Sequence, residues 1–317
     1  MAKKYHIDLN EMSNDGCSKK CPKEKRQKIT DDDICKVTKS VLDDLPVRCV
    51  GEWSYEKIYY LTQYFGIFAQ GMKGRWNGLN YIEICCGLGR CVLRETGLEI
   101  DGTSLAVLKH KNFNLIKKAL FIDVGTDVID ILNQRIHAVL GEGSNAQARE
   151  GDYNNPRGIG DMLGDIGKDC LNLVFIDPTN CDVPFDTIKQ IVAVLNNVDF
   201  IFNVAVGTDA NRNLVSATLD KSFSKVKQKY IKFLGVDDFF ESKAVVDAAQ
   251  RGDNKKLRKL FLDEYKMSLE KIGYSHFGVE QIKHYYHLLF ASRNKKGLEF
   301  WDKAHAITPS NQRKLPL

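Results

Sequence analysis

Tyr81-Ile82-Glu83-Ile84-Cys85-Cys86-Gly87-Leu88-Gly89-Arg90 is the stretch on which the reading of the whole chain turns. Tyr81 to Ile84 is a run of strand-forming residues. The Gly87-Leu88-Gly89 behind it allows a sharp turn and a close backbone approach to a ligand that a Cβ would block. Glu83 is an acid inside the strand, just ahead of the glycines. A strand, an acid and a glycine turn in that order predict a cofactor loop. A dinucleotide fold carries a third glycine, which lets the first helix pack close and aim its N-terminus at a pyrophosphate. Position 92 is Val, so that pattern is incomplete. An ordinary strand-to-loop turn is the plain alternative.

Downstream, strands and helices alternate. Cys91 to Asp101 is polar and irregular, and Thr103-Ser104-Leu105-Ala106-Val107-Leu108 reads as a capped helix start. Ala119-Leu120-Phe121-Ile122-Asp123 is the second strand. An acid at its end stands where nucleoside-binding α/β domains hold ribose hydroxyls, because a carboxylate accepts from both at once. Asp123 follows Glu83 by about 40 residues rather than the usual ~20, and the irregular segment accounts for part of the excess. A helix over 128–140 leads to a weak strand, Ala146 to Glu150, and to Gly151-Asp152-Tyr153-Asn154. Asp152 fits either an adenine amino group or plain turn chemistry. Leu171-Asn172-Leu173-Val174-Phe175-Ile176 is the apolar run of a central parallel strand, ending in Asp177-Pro178-Thr179-Asn180. A helix over 185–195 and a strand over 198–204 follow. Polar residues at successive strand ends predict an open parallel sheet with its ligand crevice at the carboxyl edge.

The flanks differ in character. Residues 1–48 are charged and poor in large apolar groups, with a basic run from Lys19 to Arg26 and the acidic Asp31-Asp32-Asp33, and they predict a flexible N-terminal arm. Cys17 and Cys21 are spaced like half of a zinc site that Cys35 and Cys49 could complete, but those two stand apart, which favours free cysteines and no metal. From Gly51, Trp53, Ile58, Leu61, Tyr64, Phe65 and Phe68 stack on one helix face, with Trp53 as a core anchor. Residues 49–207 and 274–305 form the α/β domain, the latter closing in a strand from Tyr285 to Ser292. Between them, 208–273 is a basic helical insertion with lysines 221, 225, 227, 229 and 232 and, later, Lys255, Lys256, Arg258 and Lys259. Residues 306–317 are a polar tail.

With 317 residues, 43% of them hydrophobic, the chain can bury a large core. No apolar run reaches the roughly 20 residues of a membrane helix, and Lys3 and Lys4 are not followed by the hydrophobic stretch of an export signal. That predicts no membrane partner and a cytoplasmic location. Nine cysteines, an odd number, predict reduced thiols rather than a disulfide framework. A net charge of +5 permits a polyanionic partner without requiring one.

Taken together, these stretches resemble the three-Cys-motif partner proteins, a methyltransferase-like family. The resemblance runs through Leu45-Pro46-Val47-Arg48 with Trp53 and Lys57, the loop from Tyr81 to Arg90, Ile100-Asp101-Gly102-Thr103-Ser104 and Phe121-Ile122-Asp123. It continues through Phe175-Ile176-Asp177-Pro178, Asn211-Arg212-Asn213 and the closing Tyr286 to Ser292 with Trp301. The family has Phe-Ala-Gly-Pro-Gly-Arg in the first loop; here cysteines 85 and 86 replace Phe and Ala, while the glycines and arginine remain. The resemblance implies a Rossmann-like class I methyltransferase sheet, mostly parallel, with an inserted helical subdomain, and a three-Cys-motif partner protein.

The leading expectation is an S-adenosylmethionine-dependent methyltransferase acting on a nucleic-acid amine in DNA or RNA. Glu83, Gly87, Gly89, Asp123 and Asp152 would hold the cofactor. Asp177, Pro178 and Asn180 would hold the amine, since an Asp-Pro strand end is where amino-methylating enzymes accept its hydrogens. Base-flipping enzymes of that type put a stacking aromatic where Asn180 stands, and Phe185 is the candidate substitute. The alternative expectation is a non-catalytic accessory protein that retains the fold. A metal-dependent enzyme using Asp152 and Asp177 is a third.

Overall fold

The computed structural model describes residues 12–14, 34–167 and 169–313. In chain order its elements are β1 (Met12–Ser13), β2 (Ile34–Lys39), β3 (Pro46–Val50), α1 (Trp53–Met72), β4 (Leu79–Ile84), β5 (Arg90–Leu93), β6 (Leu98–Asp101), α2 (Thr103–Leu108), β7 (Lys118–Asp123), α3 (Thr126–Leu140) and β8 (Ala146–Glu150). There follow α4 (Pro156–Leu163), β9 (Leu171–Ile176), α5 (Phe185–Leu195), β10 (Val198–Val204), α6 (Asn211–Leu219), α7 (Ser224–Leu234), α8 (Lys243–Gln250), α9 (Asn254–Lys271), β11 (His276–Ile282), β12 (Tyr286–Ser292) and α10 (Lys295–His305).

The larger sheet has the order β8-β7-β4-β9-β10-β12-β11. β4, β7 and β8 run parallel, as do β9 and β10, while β12 pairs antiparallel with both β10 and β11. The chain therefore has the expected Rossmann-like, mostly parallel sheet, with four α-helices, α6 to α9, inserted between β10 and β11. Burial explains the order of strength of the sequence signals. β4, β9 and β10 are buried at every position, as continuous apolar runs should be. The edge strand β11 has a mixed pattern.

Two compact units divide the chain, Met1–Glu150 with Asp302–Leu317, and Gly151–Trp301. In the first, a smaller sheet of order β1-β6-β5-β3-β2 corrects two expectations. Residues 34–39 and 46–48, expected within a flexible arm, lie in β2 and β3, and the irregular segment after the glycine loop is the β5–β6 hairpin. Val47 and Cys49 are buried while Arg48 and Val50 are half-buried, so β3 does alternate, over a span too short to stand out. Charged partners do the rest. Fully buried Glu99 on β6 accepts from Ser40 Oγ at 2.5 Å, Asn14 Nδ2 at 2.9 Å and the Val41 N–H at 3.0 Å, and pairs with Arg90. The basic run, Asp31-Asp32-Asp33, Cys17 and Cys21 lie outside the described residues.

In the second unit, aromatic side chains form much of the core between sheet and insertion. Tyr265 of α9 stacks on Phe233 of α7 at 4.5 Å and meets Phe185 of α5 and Phe202 of β10 edge-on. No helix among the described residues is long and apolar enough to cross a membrane.

Candidate functional site

The first unit holds the glycine loop. Cys85 has φ 65°, Gly87 62° and Gly89 83°, so every second residue of the loop is left-handed. A Cβ on Gly89 would sit 2.9 Å from Leu132 Cδ1 and 3.0 Å from Leu105 Cγ and would be strained at this φ, so any other residue there is costly. Leu88 is buried against Val128 and Ile131 of α3. Arg135, one helical face further along α3, donates to the Leu88 carbonyl at 2.6 Å and forks onto Asp43 at 2.8 and 3.0 Å. The loop is thus clamped from α3 and tied to the turn before β3. Arg135 holds the Asp43 carboxyl below the usual range, against the opposing effect of burial.

Of the residues expected on a cofactor, this unit brings Glu83, Gly87, Gly89 and Asp123 together around one loop. Asp123, at the end of β7, accepts from the Gly87 N–H at 3.0 Å through Oδ2, and from the Val124 and Gly125 N–H groups at 2.9 and 3.4 Å through Oδ1. Glu83 is fully buried and accepts from Tyr81 OH at 2.8 Å, Thr103 Oγ1 at 2.5 Å and Ser104 Oγ at 3.3 Å. Ser104 Oγ also donates to the Cys86 carbonyl at 2.8 Å. The hydroxyls expected to cap α2 are therefore spent on the strand acid, and α2 has no side-chain cap. Burial pushes the Cys86 thiol well up, and Asp123 and Glu83 push it further, so it is a neutral packing group.

The second unit holds Asp152, Asp177, Pro178 and Asn180. Asp152 is exposed, and its Oδ1 accepts from the Asn154 backbone at 2.8 Å and side chain at 3.0 Å, the turn chemistry that was one of its two readings. Asp177 and Pro178 are buried, and Asp177 Oδ1 accepts from Asn203 Nδ2 at 2.7 Å. Asn180 is half-buried and Thr179 exposed. Phe185 is corrected from a stacking surface to a core residue. It is 2% exposed, packs on Tyr265, and would clash with any Cβ at Gly235. Trp53, expected in the core, is half-buried with the Arg94 guanidinium 5.6 Å from its ring.

Sequence reasoning missed a second acidic centre in this unit. Asp209, buried, accepts from the Cys181 N–H at 3.0 Å, Lys229 Nζ at 2.6 Å, Asn213 Nδ2 at 2.9 Å and Tyr230 OH at 3.0 Å. Nearby Asp182 is driven by burial up to about 6, with Lys229 opposing and Asp209 adding to the rise. No group of three metal-ligating side chains occurs among the described residues, and Cys49 is buried.

No family model and no curated protein matches the chain. Solved structures are similar at low identity. A spermidine synthase in complex with the transition-state analogue AdoDATO is 12% identical over 82% of this chain and 67% of its own, with a TM-score of 0.41. A ribosomal protein L11 methylase from Lactobacillus delbrueckii subsp. bulgaricus is 13% identical over 74% and 79%, at 0.37. Trm1 from Pyrococcus horikoshii, with S-adenosyl-L-methionine, is 8% identical over 77% and 57%, at 0.40. At identities this low, function has to be argued from the chain's own geometry.

Proposed function

We propose that the chain is an S-adenosylmethionine-dependent methyltransferase whose acceptor is a nucleic-acid amine. The observation that carries this reading is the loop with left-handed residues at 85, 87 and 89, tied through the Gly87 N–H to Asp123 at the end of the adjacent parallel strand. Gly87 and Gly89 keep the loop backbone bare, and Asp123 stands where ribose hydroxyls are held. Val124, 57% exposed beside it, offers an apolar surface to an adenine ring. Three backbone donors leave Asp123 about one of its four lone-pair sites, so a ribose hydroxyl has to share the carboxylate with the loop. Glu83 acts by positioning, since its oxygens hold β4 to α2. Asp152 retains one oxygen for an adenine amino group.

The cofactor supplies the methyl group, and the chain binds and orients. Asp177, fixed by Asn203 and followed by Pro178, accepts a hydrogen bond from the amine, orients its lone pair and stabilises the positive charge that grows on nitrogen. Asn180 offers a further carbonyl to the amine. One observation favours a second reading, that of an accessory protein for a three-Cys-motif partner. The carboxylates of Glu83 and Asp123 are already engaged by internal donors.

Calorimetric titration with S-adenosylmethionine decides between them. Wild-type chain is expected to bind, and Asp123→Ala to bind about 30- to 150-fold more weakly, the equivalent of roughly 2–3 kcal/mol for a charge-assisted contact. No heat from wild type at millimolar cofactor or its demethylated product would leave only the accessory reading. Asp177→Asn keeps shape and removes charge. Its cofactor affinity should stay within about threefold while single-turnover transfer to RNA or DNA falls by roughly 10²-fold. Equal rates would take Asp177 out of the mechanism.

A further inference from the structure

The second unit carries a pocket of about 490 Å³, a size that suits a small molecule, lined in part by α7 of the helical insertion. Its wall joins three kinds of group. Tyr153 and Asn154 come from the turn after Gly151, Asp182 from the loop after β9, and Lys225, Lys229 and Lys232 from α7. The three lysines are not equivalent. Lys229 is bound to Asp209 and lies 4.7 Å from the Tyr230 ring, so its charge is already answered. Lys225 and Lys232, one on each side of it along the helix, are exposed and turn the pocket mouth positive. The Asp182 carboxyl, on the same wall, has a buried oxygen, Oδ1, with no hydrogen-bond partner among the described residues. A buried acceptor without a donor is costly, and a group in that position gains from an incoming N–H.

The geometry points to a nucleotide-binding pocket, in which Lys225 and Lys232 take the phosphate, the Tyr153 ring takes the face of the base, and Asp182 accepts from an exocyclic amine. Each part follows from the chemistry of the wall. Ammonium groups at the mouth attract a dianion, an aromatic ring stacks on any base, and a carboxylate selects a base edge that donates, as cytosine and adenine do, over one that presents a carbonyl. An anion alone would satisfy the lysines but be repelled by Asp182, and an amine alone would leave the lysines unanswered. A nucleotide meets both demands. The wall's charged groups are lysines 225, 229 and 232 against Asp182, with Asp209 paired to Lys229, a balance that favours a ligand with net negative charge. The assignment requires neither S-adenosylmethionine nor methyl transfer, so it stands or falls apart from the function proposed above.

The test is calorimetry on the full chain, without cofactor, using CMP, UMP, cytidine and inorganic phosphate as probes. CMP is expected to bind about tenfold more tightly than UMP and about tenfold more tightly than cytidine, since one charged hydrogen bond is worth roughly that factor. The double variant Lys225→Gln, Lys232→Gln should bind CMP no better than cytidine, and exposed lysines can be changed with the fold intact. Asp182→Ala should bind CMP no better than UMP. It removes an orphaned acceptor, and an unchanged melting temperature or a higher one will show that the variant is folded. A cytidine trinucleotide at least tenfold tighter than CMP supports a strand as the bound form, and equal affinity supports a free nucleotide. CMP affinity unchanged in both variants, or equal affinities for CMP, UMP and phosphate, would overturn the assignment, as would no binding of CMP at several millimolar.

Discussion

Glu99, beside the glycine loop, and Asp182, on the wall of the pocket, are both acids taken out of water, and the chain treats them in opposite ways. Glu99 is fully buried. Burial raises its pKa, but Ser40, the Val41 N–H and Arg90 more than reverse the effect, and it ends below the usual carboxylate range. Asp182 is less deeply placed and ends at about 6, because Tyr153 and Lys229 do not make up for burial and Asp209 works against it. Burial sets the cost of a charge, while the count of donors decides whether the protein meets it. One region is finished as structure, and the other is left with an unmet demand, which is where a ligand gains most.

The sharpest way to break this contrast is to remove Glu99. Glu99→Ala leaves the Arg90 guanidinium, which is 2% exposed, with Asp101 as its carboxylate partner, and takes from Asn14 and Ser40 their shared acceptor. Removing one partner of a buried pair costs about 3–5 kcal/mol, and with Asp101 still answering Arg90 the loss belongs at the low end of that range. Urea denaturation should show a loss of that order. A loss under about 1 kcal/mol would mean that the small sheet is not part of the cooperative fold. The pH dependence has a definite sign here. Glu99 and Asp43 are both held below their ordinary values of 4.5 and 3.8, so their contribution is complete above those values and is lost as pH falls through the folded pKa.

Asp182 should show the reverse, with a smaller effect. Its folded pKa is raised from 3.8 to about 6, so the native state holds the proton longer than the unfolded chain. Stability then falls between those two values and stays lower above them. Asp182→Asn abolishes that slope. With a discount for partial exposure, the variant should gain about 1–2 kcal/mol above pH 6 and nothing below about pH 4. A gain of equal size at both ends would place its origin in packing rather than charge.

Much of this was legible in the sequence, but unevenly. β4, β7, β9 and β10 were readable because apolar runs flanked by polar strand ends have few other readings, and the antiparallel β12 followed from its own apolar run. The small sheet was not. β5 and β6 are four residues each, and the acid that organises them, Glu99, takes donors from Asn14, Ser40 and Val41, which no local pattern connects to it. Thr103 and Ser104 carry the signal of a helix cap because hydroxyls ahead of an apolar run usually are one; here the tertiary partner Glu83 takes them. Asp209, Lys229 and Cys181 come together only through the folding of the insertion, so Asp182 could not be singled out.

The smallest expected effect lies in the glycine loop itself, at Cys85. The residue type gives no sign that this position is left-handed, yet φ is 65°, in a region where a Cβ crowds the following carbonyl at a cost of about 1–2 kcal/mol. Glycine occupies that conformation freely but gives up about 0.4–1 kcal/mol through the greater freedom of the unfolded chain. Cys85→Gly should therefore stabilise the protein by no more than about 1 kcal/mol, visible as a rise of roughly 1–3 °C in melting temperature. Cys85→Val, β-branched, should move it down by a comparable amount or more. The pair also tests what the strain is for. If the glycine variant is more stable and binds S-adenosylmethionine as tightly as wild type, the cysteine is a tolerated residue in a glycine's place. If it is more stable but binds more weakly, the strained Cys85 backbone holds the loop in the shape the cofactor needs, and the glycine loop, like the Asp182 pocket, keeps part of its fold unsatisfied for a ligand's sake.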